Sequence, residues 1–221
     1  MTATITPLHP RLRGGRILNG RHRAVAALEG VVDAVEALDS STVGHSRRVA
    51  ALCDAIAARA GELTSAERVA LREVALLHDV GKIAVPAAIL AKPGRLTAAE
   101  FARVKPHAEI GALILAGVVT AEQARWVRHH HERWDGLGYP DGIPSRVLHP
   151  AVGVLTLADA FDAMTSRAQS GRLGLGDALA ECLRGAGTQF APSAVAALLA
   201  LADEGALERT RASEAVEAAG A

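Results

Sequence analysis

Aromatic residues are scarce: two Trp, one Tyr and three Phe among 221 residues. A core with so few rings must be filled by aliphatic side chains. Alanine is abundant, and small aliphatic residues favour closely packed helices. Runs with strand periodicity are nearly absent, so the expected fold class is all-α. Cysteine is limited to Cys53 and Cys182, neither in a CxxC pair. That argues against a disulfide framework or a structural zinc ribbon and suits reduced thiols in the cytoplasm. Net charge is also missing, with 24 basic residues against 24 acidic ones. The balance argues against wholesale nucleic-acid binding. No apolar run reaches the ~20 residues of a membrane span. The longest candidate, IGALILAGVV at 110–119, reads as a buried helix. The N-terminus lacks the continuous apolar stretch of a secretory signal, so a soluble cytoplasmic protein with no membrane span is expected.

Residues 1–28 carry five Arg and no acid, which marks a basic tail or linker ahead of one domain over 29–205. Residues 206–221 read as a C-terminal tail or frayed helix. From about 24 onward the pattern turns helical. Val49, Leu52, Cys53 and Ile56 fall on one helical face, and Gly61 ends that helix. Thr64-x-x-Glu67, Thr97-x-x-Glu100 and Thr120-x-x-Gln123 are capping boxes that open three further helices. Pro106 stops the second of these near Lys105, and HAEIGALILAG starts a new one. Residues 136–150, rich in Gly and Pro, are loop. Helices resume in AVGVLTLADAFDAMTSR, GDALAECLRG and APSAVAALLALADEGAL.

Several polar groups interrupt this apolar background. His78 and Asp79 end the run VALLHD, with Gly81 where a C-cap would stand and Lys82 just beyond. Unpaired, such a buried pair is costly. It is either a neutral histidine bonded to a carboxylate or part of a metal site. His45 opens a long helix, His107 opens another, and His130 and His131 close a third ahead of Glu132. Asp159 lies inside an apolar helix. Imidazoles and carboxylates contributed by separate helices suit Fe, Mn or Zn, and a bridging carboxylate suits two ions held close together.

HDVGK at 78–82, HAEIG at 107–111, HHERWDGLGYP at 130–140 and DAFDAMT at 159–165 resemble the HD-GYP branch of the HD-domain phosphohydrolases. HSRRVA at 45–50 and the stretch 83–100 match the flanking pattern. The resemblance implies an HD-domain helical bundle with a metal centre in its core. It also implies hydrolysis of cyclic di-GMP to pGpG or GMP by a metal-bridged hydroxide, with two divalent ions, Fe or Mn, as cofactors. By resemblance His45, His78, Asp79 and Asp159 hold the first ion. Asp79 bridges to a second held by His107, His130 and His131. Lys82 stands near the scissile phosphate, so Asp79 and Lys82 are the catalytic pair. Glu132, Asp135, Gly136, Gly138, Tyr139 and Pro140 form the GYP loop. Glu132 and Asp135 orient ligands or cap the loop, Gly138 supplies a backbone angle other residues resist, and His129 stands outside the ligand set.

The chain departs from the family pattern in three places, one of them a stretch between the GYP loop and the next helix that is a few residues short. Ser41 stands where some members carry a glutamate that admits a third metal, which favours two. RAQSGR replaces a basic run after DAMTS, leaving Arg167 and Arg172 as displaced substrate-binding residues. Two alternatives stay open: a phosphohydrolase of another nucleotide, and a catalytically silent sensor or docking module. The implied partners are a cyclic dinucleotide and a diguanylate cyclase or other signalling protein docking at the GYP loop. A homodimer is also left open.

Overall fold

The computed structural model of the chain describes residues 20–37, 43–166 and 173–207. Ser41, Arg167 and Arg172 lie outside the described residues. So do most of the basic N-terminal segment and residues 208–221. Among the described residues ten α-helices follow one another: α1 Gly20–Glu36, α2 His45–Ala60, α3 Ser65–Leu77, α4 Ala87–Leu90, α5 Ala98–Val104, α6 His107–Leu115, α7 Ala121–His129, α8 Pro150–Ser166, α9 Leu175–Arg184 and α10 Pro192–Asp203. Short 3-10 turns cover Val80–Ala84 and Ser145–Val147. No strand forms among the described residues; pairing is limited to isolated bridges such as Ala116 with Val119.

Local chemistry sets the helix ends. All three capping boxes form, each Thr hydroxyl accepting from the third helical amide and the Glu or Gln side chain reaching back. Gly61, at φ 71°, donates to the Ala57 carbonyl and closes α2. The helix beginning at His107 is confirmed, but it is not buried all round. Leu113 is 69 % exposed, while Ala108, Gly111 and Leu115 face inward. Its apolar composition hid an amphipathic placement.

The core forms around α8. Every residue from Ala151 to Ala158 is buried, because α2, α3, α7, α9 and α10 pack around this helix. A helix enclosed in this way is apolar on all faces, so Asp159 and Asp162 at its far end enter the interior. Phe161, Leu155, Leu157, Ile56 and Leu198 fill the space between the helices. Truncating a ring such as Phe161 to Ala would cost about 3–5 kcal/mol.

Two backbone approaches bring distant segments together. A Cβ on Gly81 would lie 2.0 Å from the His107 carbonyl oxygen and 2.5 Å from the Gly111 nitrogen. Gly81 is therefore not the left-handed C-cap expected of it. It sits within the 3-10 turn, and its missing side chain lets that turn press against α6. Gly138 likewise has no positive φ. A Cβ there would meet the Arg133 nitrogen at 2.4 Å and the His131 oxygen at 2.6 Å, so close approach, not backbone angle, requires glycine.

Candidate metal centre

Four imidazoles of the predicted set, His45, His78, His107 and His130, are each aimed by a backbone or carboxylate partner. His78 caps α3, and its Nδ1 bonds the Ala75 carbonyl at 2.7 Å. His107 opens α6 and bonds the Val104 carbonyl at 2.8 Å. His130 caps α7 and bonds the Val127 carbonyl at 2.6 Å. In all three the acceptor is a carbonyl, so Nδ1 carries the proton and Nε2 keeps a lone pair. The Thr156 hydroxyl donates to the His130 carbonyl at 2.8 Å and ties that end of α7 to α8.

These lone pairs converge. His107 Nε2 lies 3.3 Å from His130 Nε2 and 3.2 Å from His131 Nε2. It also lies 3.4 Å from Asp79 Oδ1. The other Asp79 oxygen faces His78 Nε2 at 3.5 Å and His45 Nε2 at 4.0 Å. Asp159 Oδ1 is 3.1 Å from His45 Nε2, and its other oxygen is 4.0 Å from His131 Nδ1. The buried Nε2 atom of His78 has no hydrogen-bond partner, and that of His45 has the Asp159 carboxylate alone at hydrogen-bond distance. Facing lone pairs repel, and an unsatisfied buried polar atom costs roughly 1–3 kcal/mol. A divalent cation resolves both problems, so the donor set fits such an ion. Three overlapping groups have ligand atoms within 4.8 Å of one another: His107–His130–His131, His45–His78–Asp79 and His78–His130–Asp159.

The electrostatics follow from burial and mixed charge. Burial opposes ionisation of Asp79 and Asp159, yet the surrounding cations and imidazoles hold both well below the usual carboxylate range. Lys82 acts most strongly on Asp79 and His45 on Asp159. Burial and neighbouring imidazoles push His130 well below 6.5, and burial takes His131 down to about 3. Burial also disfavours charge on His45, but hydrogen bonds to Asp159 and Asp162 outweigh it and raise the group to about 9. Lys82 pairs with Asp79 at the edge of the cluster.

The GYP loop packs over one side. Glu132 is buried and accepts the backbone N–H groups of Asp141, Gly142 and Ile143 at 2.7, 3.0 and 3.3 Å. It caps the loop and does not reach the imidazoles. Asp135 pairs with Arg133 and accepts from the Leu137 amide. Gly136 and Gly142 are the glycines here with positive φ. Tyr139 joins Pro140 through a cis peptide and stacks on His131, with centroids 4.8 Å apart. His129 turns outward to Asp141 at 3.0 Å.

Sequence reasoning passed over Asp162. Its Oδ2 lies 2.7 Å from His45 Nδ1, and Arg48 braces both of its oxygens at 2.8 and 3.1 Å. The signal was present: a second acid three residues after Asp159 shares its helical face.

The family model of the HD domain matches residues 31–194. The chain belongs to the HD domain family. Every motif histidine and aspartate of the cluster falls within that span. Among relatives of this HD domain, the 3'3'-cGAMP-specific phosphodiesterase 3 of Vibrio cholerae is 42 % identical over 146 residues, covering 64 % of this chain and 32 % of that protein. The cyclic di-GMP phosphodiesterase of Thermotoga maritima is 37 % identical over 170 residues, covering 75 % and 46 %. The chain thus spans about a third to a half of these relatives' length. A solved HDG"Y"P protein from Bdellovibrio bacteriovorus superposes with TM-score 0.62 at 17 % identity, over 83 % of this chain and 62 % of that one. That likeness establishes the fold, an all-helical HD domain. Within the described residues no helix is long and apolar enough to cross a membrane.

Proposed function

We propose that this HD domain is a metal-dependent phosphodiesterase that hydrolyses cyclic di-GMP to pGpG, GMP or both. The observation that carries this reading is the convergence of His45, His78, Asp79, His107, His130, His131 and Asp159, with Lys82 at the rim. The relatives named as cyclic dinucleotide phosphodiesterases support it. We assign His45, His78, Asp79 and Asp159 to one cation and Asp79, His107, His130 and His131 to a second, with Asp79 shared. Two divalent ions, which we take as iron or manganese, would supply Lewis acidity and make water nucleophilic near neutral pH.

The chain's own groups do the rest. The Nδ1–H bonds to Ala75, Val104 and Val127 lock three imidazoles before anything binds. Lys82 offers a point charge against the negative charge that builds on the phosphate oxygens during attack. Cys53 and Cys182 are free and buried in the aliphatic core, so neither serves as a nucleophile, and no covalent enzyme intermediate is invoked. Buried free thiols also suit a cytoplasmic site of action. Arg167 and Arg172 remain proposed substrate contacts outside the described residues. Leu137, 78 % exposed on the GYP loop, gives a signalling partner such as a diguanylate cyclase an apolar contact.

A second substrate, 3'3'-cGAMP, is favoured by the 42 % identical relative. The test is elemental analysis of protein purified without oxygen, then turnover of both cyclic dinucleotides on the same sample. About two ions per chain are expected. His78→Ala and Asp79→Ala should lose metal and turnover together. Lys82→Ala should keep the metal while kcat falls about a hundredfold. Equal metal content in wild type and Asp79→Ala would contradict the assignment.

A further inference from the structure

The chain has three lysines, Lys82, Lys92 and Lys105. Lys82 pairs with Asp79 and Lys92 with Glu100. No carboxylate among the described residues pairs with Lys105. Its Nζ instead sits 5.2 Å from the ring centroid of Phe101 and 5.3 Å from that of Tyr139. The two rings meet edge to face with centroids 6.0 Å apart, and Tyr139 in turn stacks on His131. A continuous ammonium–ring–imidazole stack therefore runs from the surface to the cluster.

Phe101 is 41 % exposed, an expensive place for one of so few aromatic residues. Phe101 and Lys105 stand at i and i+4 on α5 and its C-cap, so they share a face. The same turn orients His107, because the Val104 carbonyl receives its Nδ1–H. An exposed ammonium over a ring is held weakly. A charge-assisted bond to a phosphate oxygen is stronger. The rings thus position the Lys105 charge without neutralising it, which a carboxylate would do.

We propose that Lys105, seated on Phe101 and Tyr139, binds the second, unreacting phosphate of the cyclic dinucleotide. The assignment rests on the phosphodiesterase reading above. A cyclic dinucleotide carries two phosphates. When one faces the cluster for attack, the other stays outside it, and Lys105 is an unpaired cation at that mouth.

The test compares wild type, Lys105→Met and Lys105→Arg as metal-loaded full chains. Methionine keeps an unbranched stem over the rings and removes the charge. KM for cyclic di-GMP should rise on the order of tenfold in Lys105→Met, with the larger share of the loss in KM and not in kcat, and Lys105→Arg should recover most of it. KM for bis(p-nitrophenyl) phosphate, which has a single phosphate, should move far less. Metal content and melting temperature report on any structural damage. An unchanged KM for cyclic di-GMP in Lys105→Met overturns the proposal and leaves the phosphodiesterase reading standing. An equal rise for both substrates also overturns it. A wild-type chain that neither binds nor cleaves cyclic dinucleotides overturns both.

Discussion

Asp162 Oδ2 stands 2.7 Å from His45 Nδ1, on the side of the ring turned away from Asp79 and Asp159. The carboxylate holds the Nδ1–H, so Nε2 is the nitrogen turned to the cluster, and Arg48 holds the carboxylate in turn. Partners of this kind typically govern metal affinity by 10–100-fold without touching the ion. Asp162→Asn keeps the shape and removes the charge. Manganese titration of stripped protein should show affinity falling by about tenfold or more, with turnover recovering at excess metal. An affinity equal to wild type would remove Asp162 from the site.

Glu132 makes a different kind of prediction, about stability and not metal. Its two oxygens receive three consecutive loop amides in a buried position. An amide oxygen in Glu132→Gln can still serve Asp141 and Gly142, but the new NH2 group faces the Ile143 N–H. One unsatisfied buried donor costs about 1–3 kcal/mol, or roughly 2–12 °C of melting temperature for a domain of this size. Calorimetry on the metal-loaded protein measures it. If the loop instead served chemistry through Glu132, kcat would fall with the melting point unchanged.

Two glycines should respond to alanine with opposite signs. Gly81→Ala drives a methyl into the His107 carbonyl, so the turn and α6 must separate. The expected cost is about 3 kcal/mol or more, with loss of bound metal, since Asp79 and His107 move apart. Gly30, inside α1, has nothing within 4 Å of the added carbon. Gly30→Ala should raise stability by about 0.5–1 kcal/mol through helix propensity alone. Thermal melts of the two variants side by side decide the matter. A mild effect of Gly81→Ala would mean that the contact is not as tight as the backbone positions require.

These contrasts mark how far the sequence could be read. The capping boxes were legible because their partners sit three residues apart. His45, His78, Asp79, His107, His130, His131 and Asp159 stood out because ionisable groups among aliphatic ones are costly unless something binds them. Gly81 and Gly138 were misread, since their reason lies in non-local neighbours: the His107 backbone for one, the Arg133–His131 segment for the other. The exposure of Leu113 was hidden for a related reason. Composition reports how apolar a helix is, and only its packing partners decide which face is covered.

The opposed shifts on the histidines give the metal-free protein a distinctive pH profile. His131, lowered to about 3 in the fold from 6.5 unfolded, is neutral in the folded state where the unfolded chain already binds a proton. As pH falls below 6.5 the unfolded state gains protons first, so stability drops down to about 3, and His130 adds in the same direction. His45, raised to about 9, works the other way. Its contribution is fully present below 6.5 and is lost as pH rises toward 9. Stripped of metal with a chelator, the protein should therefore melt highest near pH 6.5 and lose stability on both sides. A single perturbed group contributes up to about 1.4 kcal/mol per pH unit within its window. Reloading manganese should flatten the alkaline limb, because a cation at His45 Nε2 replaces the proton whose loss weakens the free protein. Melts of both forms across pH 4–9 check this, and a metal-free profile that rose steadily toward pH 9 would contradict the charged state assigned to His45.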